Sequence, residues 1–405
     1  MPVADAVRDA LGSQSLIRKM FEEGALLKKQ HGSDKVFDFS LGNPDLDPPP
    51  AFHRVFLKLA KEDKKGSHGY MAKAGYPEVR EALARKASAE QGVTIDGSSV
   101  IMACGAAGGL NVVFKSILNP GDEVIVSRPY FMEYRPYAAN HSGKIVEVDS
   151  LPDFGLDVDA IKAKLNPKTA AVLINSPHNP TGRIYPAETI ARLAQAMEEH
   201  GKQSGRFPFL ISDEPYREIA YNGAAVPPVL SAYDESIVVS SYSKSLSLPG
   251  ERIGYIAVGP KIRDREILCG ALIYATRVLG YVNAPALMQR IVAELTFARV
   301  DVDIYARRRS AFTKILDEAG IAYAKPEGAF YLFCRVPEGN EVSAGGDVAF
   351  VEHLKKHLIL GVPVTGFGKP GWLRFAYCVD EKIIKASESA FKKAMESWRN
   401  SSVSR

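Results

Sequence analysis

Cysteine is scarce and scattered. The 405-residue chain carries four, Cys104, Cys269, Cys334 and Cys378, with no pair at metal-ligand spacing. A disulfide framework is therefore not expected, no metal site is expected, and a reducing cytoplasmic setting is the default. Long apolar runs are missing too. None approaches the ~18 residues of a membrane span, so no membrane partner is expected. The N-terminus lacks a signal-peptide pattern; Ala6 to Leu27 reads as an amphipathic helix with charges throughout. Neither sign of charge dominates: 51 Lys and Arg against 47 Asp and Glu leave a net charge of +4. There is no long basic run, so a nucleic-acid partner has no support. Internal repeats and low-complexity segments are also absent.

What remains is an ordinary globular composition, 46% hydrophobic and 24% charged. At ~100–200 residues per domain, the length suggests two domains. Short β-branched runs alternate with helical patterns through the middle of the chain. The strands expected are Glu123–Ser127, Ile145–Asp149, Ala170–Asn175, Phe209–Asp213, Ile237–Ser241 and Gly254–Val258. Several are apolar on both faces, which favours a buried, mostly parallel sheet covered by helices, an α/β class. Helices are expected at Gly108–Leu118 and Ala187–His200. Beyond about residue 285 a long helical stretch runs from Met288 toward Gly320. Short strands follow at Ala329–Val336 and Trp372–Tyr377, and an amphipathic helix at Glu381–Trp398. This later part reads as a smaller α+β domain, with the N-terminal helix packed against it.

Four segments concentrate chemistry beside expected strands. Ser241-Tyr242-Ser243-Lys244 follows a strand and precedes Arg252. A lysine at the carboxyl end of a strand sits where α/β folds place ligands, and the hydroxyls with Arg252 suit a phosphate. An exposed loop lysine beside a surface arginine is the alternative. Asp213 ends an apolar strand and can hold a ring nitrogen protonated, with Tyr216 as a nearby hydroxyl; a capping aspartate is the plainer reading. Asn175-Ser176-Pro177-His178-Asn179-Pro180-Thr181-Gly182 offers the amide of Asn179 on a rigid turn, or is simply a tight turn. Gly105-Ala106-Ala107-Gly108-Gly109 opens a helix, where small residues admit a phosphate or merely allow close packing. Gly366-Phe367-Gly368-Lys369-Pro370-Gly371 matches a dinucleotide fingerprint by letter only. A strand rather than a helix is expected after it, so it carries no cofactor reading.

In this order, these segments resemble the class I/II aminotransferases, aspartate aminotransferase-like enzymes dependent on pyridoxal 5′-phosphate. The resemblance runs from Gly42-Asn43-Pro44 to Arg374. It implies fold type I: a seven-stranded, mostly parallel central sheet in a large domain (46–285), with a small α+β domain made by both chain ends (1–45 and 286–405). It implies an amino-acid:2-oxo-acid aminotransferase with ping-pong kinetics. Lys244 matches the residue that forms the Schiff base, and Asp213 the partner of the pyridinium nitrogen. Asn179 and Tyr216 match the partners of the ring 3′-oxygen. Ser241, Ser243 and Arg252 match phosphate ligands, beside the backbone of Ala106 and Ala107. Phe131 matches the ring that stacks on the cofactor. Arg374 matches the fork for the substrate α-carboxylate, and Gly42 the glycine near the substrate. Tyr70 matches a tyrosine that reaches the neighbouring subunit's phosphate, which implies a homodimer.

Two departures stand out. Ala106-Ala107 replace residues that are often hydroxylated, and Phe131 replaces a frequent Tyr or Trp. A β-lyase sharing the same carbanion chemistry remains the alternative. A cofactor-binding regulator is disfavoured by the roughly 40 residues before Gly42, too few for a DNA-binding domain. A nicotinamide dehydrogenase fails for want of its fingerprint. Arg277 lies in the segment where dicarboxylate-specific relatives supply an arginine across the dimer. It is either a distal-carboxylate ligand or a surface arginine on a loop.

Overall fold

Aliphatic runs too short to form stable helices become strands when they can be buried on both sides. The computed structural model describes residues 3–5, 7–8, 16–337 and 346–403. Its central sheet has seven strands: β1 (Val100–Ala103), β2 (Glu123–Arg128), β3 (Lys144–Asp149), β4 (Thr169–Asn175), β5 (Phe209–Asp213), β6 (Ser236–Ser241) and β7 (Gly254–Val258). Their order is β1-β7-β6-β5-β4-β2-β3. The six strands expected from sequence are present within a residue or so at each end. β1 was not anticipated: at four residues it is the shortest strand of the sheet. Strands β2 to β6 are mutually parallel, whereas β7 runs antiparallel to both β6 and β1.

Alternation along β4 divides the core into two layers. Ala171 and Leu173 pack with Val113, Phe114 and Leu272 on one side. Val172 and Ile174 pack with Leu193 and Met197 on the other. Each such large aliphatic side chain stabilises the fold by about 1.5–3 kcal/mol when fully buried. Helices Gly105–Ile117 and Arg265–Val278 cover the first face. Helix Ala187–Ser204 lies on the second and ends at Gly205 in the left-handed region (φ 76°).

A four-stranded antiparallel sheet lies beyond. Its strands are β8 (Tyr323–Ala324), β9 (Tyr331–Arg335), β10 (Val362–Pro363) and β11 (Trp372–Ala376), in the order β10-β11-β9-β8. Its core includes Phe39, Phe312, Phe375 and Phe391. The chain before Gly42 joins this layer: Phe37–Asp38 pairs in parallel with Ile359–Leu360, and the Ala376 amide donates to the Phe39 carbonyl at 2.7 Å.

Three helices differ from the sequence expectation. The N-terminal helix is described as Leu16–His31; residues 6 and 9–15 of the expected Ala6–Leu27 lie outside the described residues. The stretch from Met288 toward Gly320 is two helices, Ala286–Glu294 and Val302–Ala319. The Thr296 hydroxyl donates to the Ala293 carbonyl at 2.6 Å, competing with the helical backbone, and Asp301 caps the second helix. Gly320 ends it at φ 72°, as expected. The final helix is likewise split, Glu381–Ala386 and Glu388–Val403, around a fully buried Ser387 whose hydroxyl donates to the Ile384 carbonyl at 2.7 Å.

Register gathers the chemistry. Asn175 pairs with Asp213, and Asp213 with Val239, so β4, β5 and β6 end together. Because β7 is reversed, its first residue, Gly254, pairs with Ser241. Arg252, two residues earlier, therefore arrives at the same end. Ala103 also pairs with Gly254, which delivers the Gly105 turn there as well.

Candidate active site

Lys244 lies in the short helical turn Tyr242–Ser245 that follows β6. Its Nζ donates to the Gly42 carbonyl at 2.7 Å and sits 5.4 Å from the centroid of Phe330. Burial pushes its amine down to about 8; the Cys378 thiol opposes this, while the cations Arg374 and Arg252 add to it. About a tenth of this amine is therefore uncharged and nucleophilic at pH 7, far more than for an ordinary lysine.

Asp213 is buried at the tip of β5. The Tyr134 hydroxyl donates to its Oδ2 at 2.6 Å. Its Oδ1 is buried with no hydrogen-bond partner among the described residues. Burial pushes the carboxyl up to about 7; the Tyr134 hydrogen bond opposes, and the neighbouring Glu214 adds. A cation placed against Oδ1 removes that penalty.

Asn175 is the brace between strand and turn. Its Nδ2 donates to the Asp213 carbonyl at 2.7 Å, and its Oδ1 accepts from the Asn179 amide at 2.6 Å. Asn179 is thereby fixed, and its Oδ1 accepts from Arg374 Nη1 at 3.0 Å. Arg374, on β11, also donates through Nη2 to the Ser40 carbonyl at 3.1 Å and lies 4.5 Å from the Tyr331 ring centroid. It is 2% exposed, and its Nε has no partner among the described residues. Tyr216 meets Tyr331 hydroxyl to hydroxyl at 2.8 Å. Burial carries the Tyr216 phenol well above its usual range, with Tyr331 adding.

The other end is built for an anion. Ser241, Ser243 and Arg252 face the turn of Ala106 and Ala107 that opens the 13-residue helix Gly105–Ile117. Free amides and the helix dipole favour negative charge there. Gly105 has φ +71°, and a Cβ on it would lie 2.8 Å from Arg252 Nη2. Only glycine satisfies both the backbone and the guanidinium at that position.

These groups enclose a cavity of about 300 Å³. Gly42, Ala106, Ala107, Phe131, Asn179, Asp213, Tyr216, Ser241, Ser243, Lys244, Arg252 and Arg374 all line it. Tyr70 and Arg277 do not. Tyr70 is 92% exposed. Arg277 is exposed in the last turn of helix Arg265–Val278, not on a loop. His178 is buried against Thr181, Nδ1 to Oγ1 at 2.8 Å; burial pushes its imidazole down to about 3, so it is neutral. Gly366 lies in a short turn, Thr365–Phe367, and the strand Trp372–Ala376 comes next, with no helix for a dinucleotide phosphate.

The lining residues missed from sequence include Tyr134, Asn175 and Tyr331. Tyr134 follows Phe131 by three residues at a helix start, and the two rings meet edge to face at 5.6 Å. That spacing was its only signal. Asn175 sat inside a motif already singled out. Tyr331 opens β9 in an apolar run and reads as core.

The residues fit a pyridine aldehyde bearing a phosphate. One carboxylate oxygen is buried and unpartnered, a buried amine is partly deprotonated, and an anion cradle stands at the far end. Among the described residues, no cluster of His, Cys, Asp or Glu is placed to hold a metal, and no helix is long and apolar enough to cross a membrane.

Comparison with known proteins gives the family and the fold. The family model for "Aminotransferase class I and II" matches residues 34–388. The aspartate/prephenate aminotransferase of Thermus thermophilus is 30% identical over 376 residues, 92% of this chain and 94% of that protein. The crystal structure of an amino transferase from Eubacterium rectale superposes with a TM-score of 0.93 at 38% identity, covering 98% of this chain and 99% of that one. The Thermus thermophilus aspartate aminotransferase solved with maleate gives 0.83 at 27% identity, covering 94% and 97%.

Proposed function

From the premise that the chain belongs to the class I and II aminotransferases, with the fold type I architecture and pyridoxal-phosphate-dependent transaminase activity of that family, we propose how its own residues divide the work. The single observation that carries this reading is the convergence of Lys244, Asp213, Asn179 and Arg374 on one buried cavity. When bound, the cofactor supplies an aldehyde that captures amines and a ring that takes up electron density from the substrate carbon.

Lys244 Nζ would hold the cofactor and is the amine placed to move the proton at the substrate Cα, as base and then acid. Asp213 Oδ1 would accept a hydrogen bond from the ring nitrogen and favour its protonated form. Asn179 and Tyr216 would hold the ring 3′-oxygen. Ser241, Ser243, Arg252 and the amides of Ala106 and Ala107 would hold the phosphate, and Phe131 would cover the ring face. Arg374 grips the amino acid's α-carboxylate, and Gly42 leaves room beside it: a Cβ there would lie 2.0 Å from the Tyr331 hydroxyl. Both half-reactions use this one cavity, first an amino acid and then a 2-oxo acid, so kinetics are ping-pong.

The enzyme works as a homodimer in which Tyr70 and Arg277 complete the neighbour's cavity. Both are exposed on their own subunit. The helix bearing Arg277 also exposes Ile267, Tyr274 and Val278, an apolar set suited to burial against a second copy. Residues 46–285 form the large domain, and both chain ends form the small one. The four cysteines are free, which suits the cytoplasm.

Mixing holoenzyme with single amino acids tests the reaction. A transaminase loses the bound cofactor's absorbance band and releases one equivalent of 2-oxo acid without a second substrate; recovery of the band with another product would mark a lyase instead. Arg277→Ala is expected to lower aspartate turnover by about tenfold and to spare alanine. Equal loss on both substrates removes Arg277 from distal-carboxylate recognition.

A further inference from the structure

Tyr331 links two residues of the site that were singled out from sequence, Tyr216 and Arg374. It is 2% exposed on β9. Register places Tyr331 opposite Ala376 and Phe333 opposite Arg374, so Tyr331 and Arg374 are diagonal neighbours on one face of the sheet. The Arg374 guanidinium carbon lies 4.5 Å from the Tyr331 ring centroid. At its other end, the Tyr331 hydroxyl meets the Tyr216 hydroxyl at 2.8 Å, and the two rings pack edge to face at 5.7 Å. Phe330 backs the ring at 5.1 Å. The space that Gly42 leaves open is taken by this same hydroxyl.

We propose that Tyr331 is a positioning residue with two separable functions: its ring aims Arg374, and its hydroxyl sets the proton on Tyr216. The proposal rests on the roles given above to Arg374 and Tyr216. The argument for the hydroxyl is one of inventory. A phenol has one proton and accepting lone pairs. If Tyr216 gives its proton to the cofactor's 3′-oxygen, then in the Tyr216–Tyr331 pair the donor must be Tyr331. A phenol that accepts a hydrogen bond becomes a stronger donor in turn. Tyr331 therefore strengthens the hold of Tyr216 without touching the cofactor oxygen. The argument for the ring is one of geometry. A flat guanidinium beside an aromatic face is restricted in orientation, and here Tyr331 at 4.5 Å and Phe367 at 5.4 Å hold Arg374 with Nη1 on Asn179 and Nη2 on the Ser40 carbonyl.

Two variants separate these functions. Tyr331→Phe keeps the ring and deletes the hydroxyl. In holoenzyme it is expected to raise the pH midpoint of the bound cofactor's absorbance by about half a unit, and to lower kcat severalfold with the KM for amino acid unchanged. Tyr331→Leu deletes the ring and is expected to raise that KM by about tenfold as well. A purely structural tyrosine would lower stability in both variants and leave the spectral midpoint of correctly folded protein in place.

Tyr216→Phe is the control. It is expected to move the midpoint further than Tyr331→Phe does, and adding Tyr331→Phe to it is expected to move the midpoint no more, since the hydroxyl then has nothing to act through. If Tyr216→Phe moves the midpoint and Tyr331→Phe does not, the hydroxyl function is overturned and the role of Tyr216 stands. If neither moves it, both fall. If Phe and Leu at 331 share one KM, the ring function is overturned.

Discussion

Asp213 and Glu214 are consecutive, both are carboxylates, and both are buried, yet they face opposite sides of the sheet into different circumstances. Glu214 is fully engaged: Ser212 Oγ donates to Oε1 at 2.8 Å, while Gln91 and Arg217 donate to Oε2 at 3.1 and 2.9 Å. Asp213 has one oxygen on Tyr134 and the other without a hydrogen-bond partner among the described residues. Burial raises both carboxyls, but Arg217 opposes the rise at Glu214, and among the described residues no cation contributes at Asp213. The lesson is that a satisfied buried charge belongs to the scaffold, whereas an unsatisfied one is held for a ligand.

The functional side should break without unfolding, and Lys244→Ala is the severest case. Turnover is expected to fall by about 10⁴-fold or more with little change in thermal midpoint, because a desolvated amine is removed and no ion pair is lost. Activity remaining within tenfold of the parent would remove Lys244 from the chemistry.

The paired test comes next. Asp213→Asn is expected to lower kcat by about 10²–10³-fold. Folded Asp213 keeps its proton up to about pH 7, whereas an unperturbed aspartate releases it near 3.8. Its contribution to stability is thus present at low pH and lost as pH rises through 7. The cofactor-free variant should therefore be more stable than the parent at pH 8, by about 1–3 kcal/mol, and equal to it at pH 3.5. Glu214→Gln reverses the pattern: it takes the carboxylate partner from buried Arg217, which keeps only the Glu90 and Val226 carbonyls as hydrogen-bond partners among the described residues, and costs about 2–4 kcal/mol, while kcat stays within a few-fold. Thermal unfolding and steady-state assays on both variants decide the comparison. A stability loss for Asp213→Asn at pH 8 would refute it.

The smallest effect concerns pH and Lys244. Its folded value, about 8, lies below the usual 10.5. Protonating it costs the folded state, so stability from this group rises with pH between about 8 and 10.5. Reactivity follows the free amine. Cofactor capture by cofactor-free enzyme should rise with pH and level off above about 8. A rate still climbing steeply at pH 10 would mean the amine is not desolvated as the structure has it.

Much of the central sheet was legible because strands buried on both faces need apolar, β-branched runs, and several of the six expected strands are such runs. β1 was not, since its run is only four residues long. The later helices were read as continuous because an apolar stripe persists through Thr296 and Ser387; the breaks come from hydroxyls bonding locally to the backbone, which periodicity does not register. Within the site, side chains that follow strands were found, since a polar group after an aliphatic run is conspicuous. Tyr331 was missed because a tyrosine inside an apolar strand looks the same whether its hydroxyl is buried idly or is bonded to Tyr216.

By itself the sequence determined which residues are reactive, and in which order they leave the sheet. The chain's aliphatic runs, punctuated by Asn175, Asp213 and Ser241, allow few other arrangements. Tertiary structure alone decided that Arg374, from the second sheet, closes on Asn179; that reversal of β7 brings Arg252 to the same edge; and that Asp213 lacks a second partner. Each is set by distances between segments remote along the chain. Protonation, too, belongs to the assembled protein: Lys244 near 8 and Asp213 near 7 reflect water excluded by neighbours that only folding brings together.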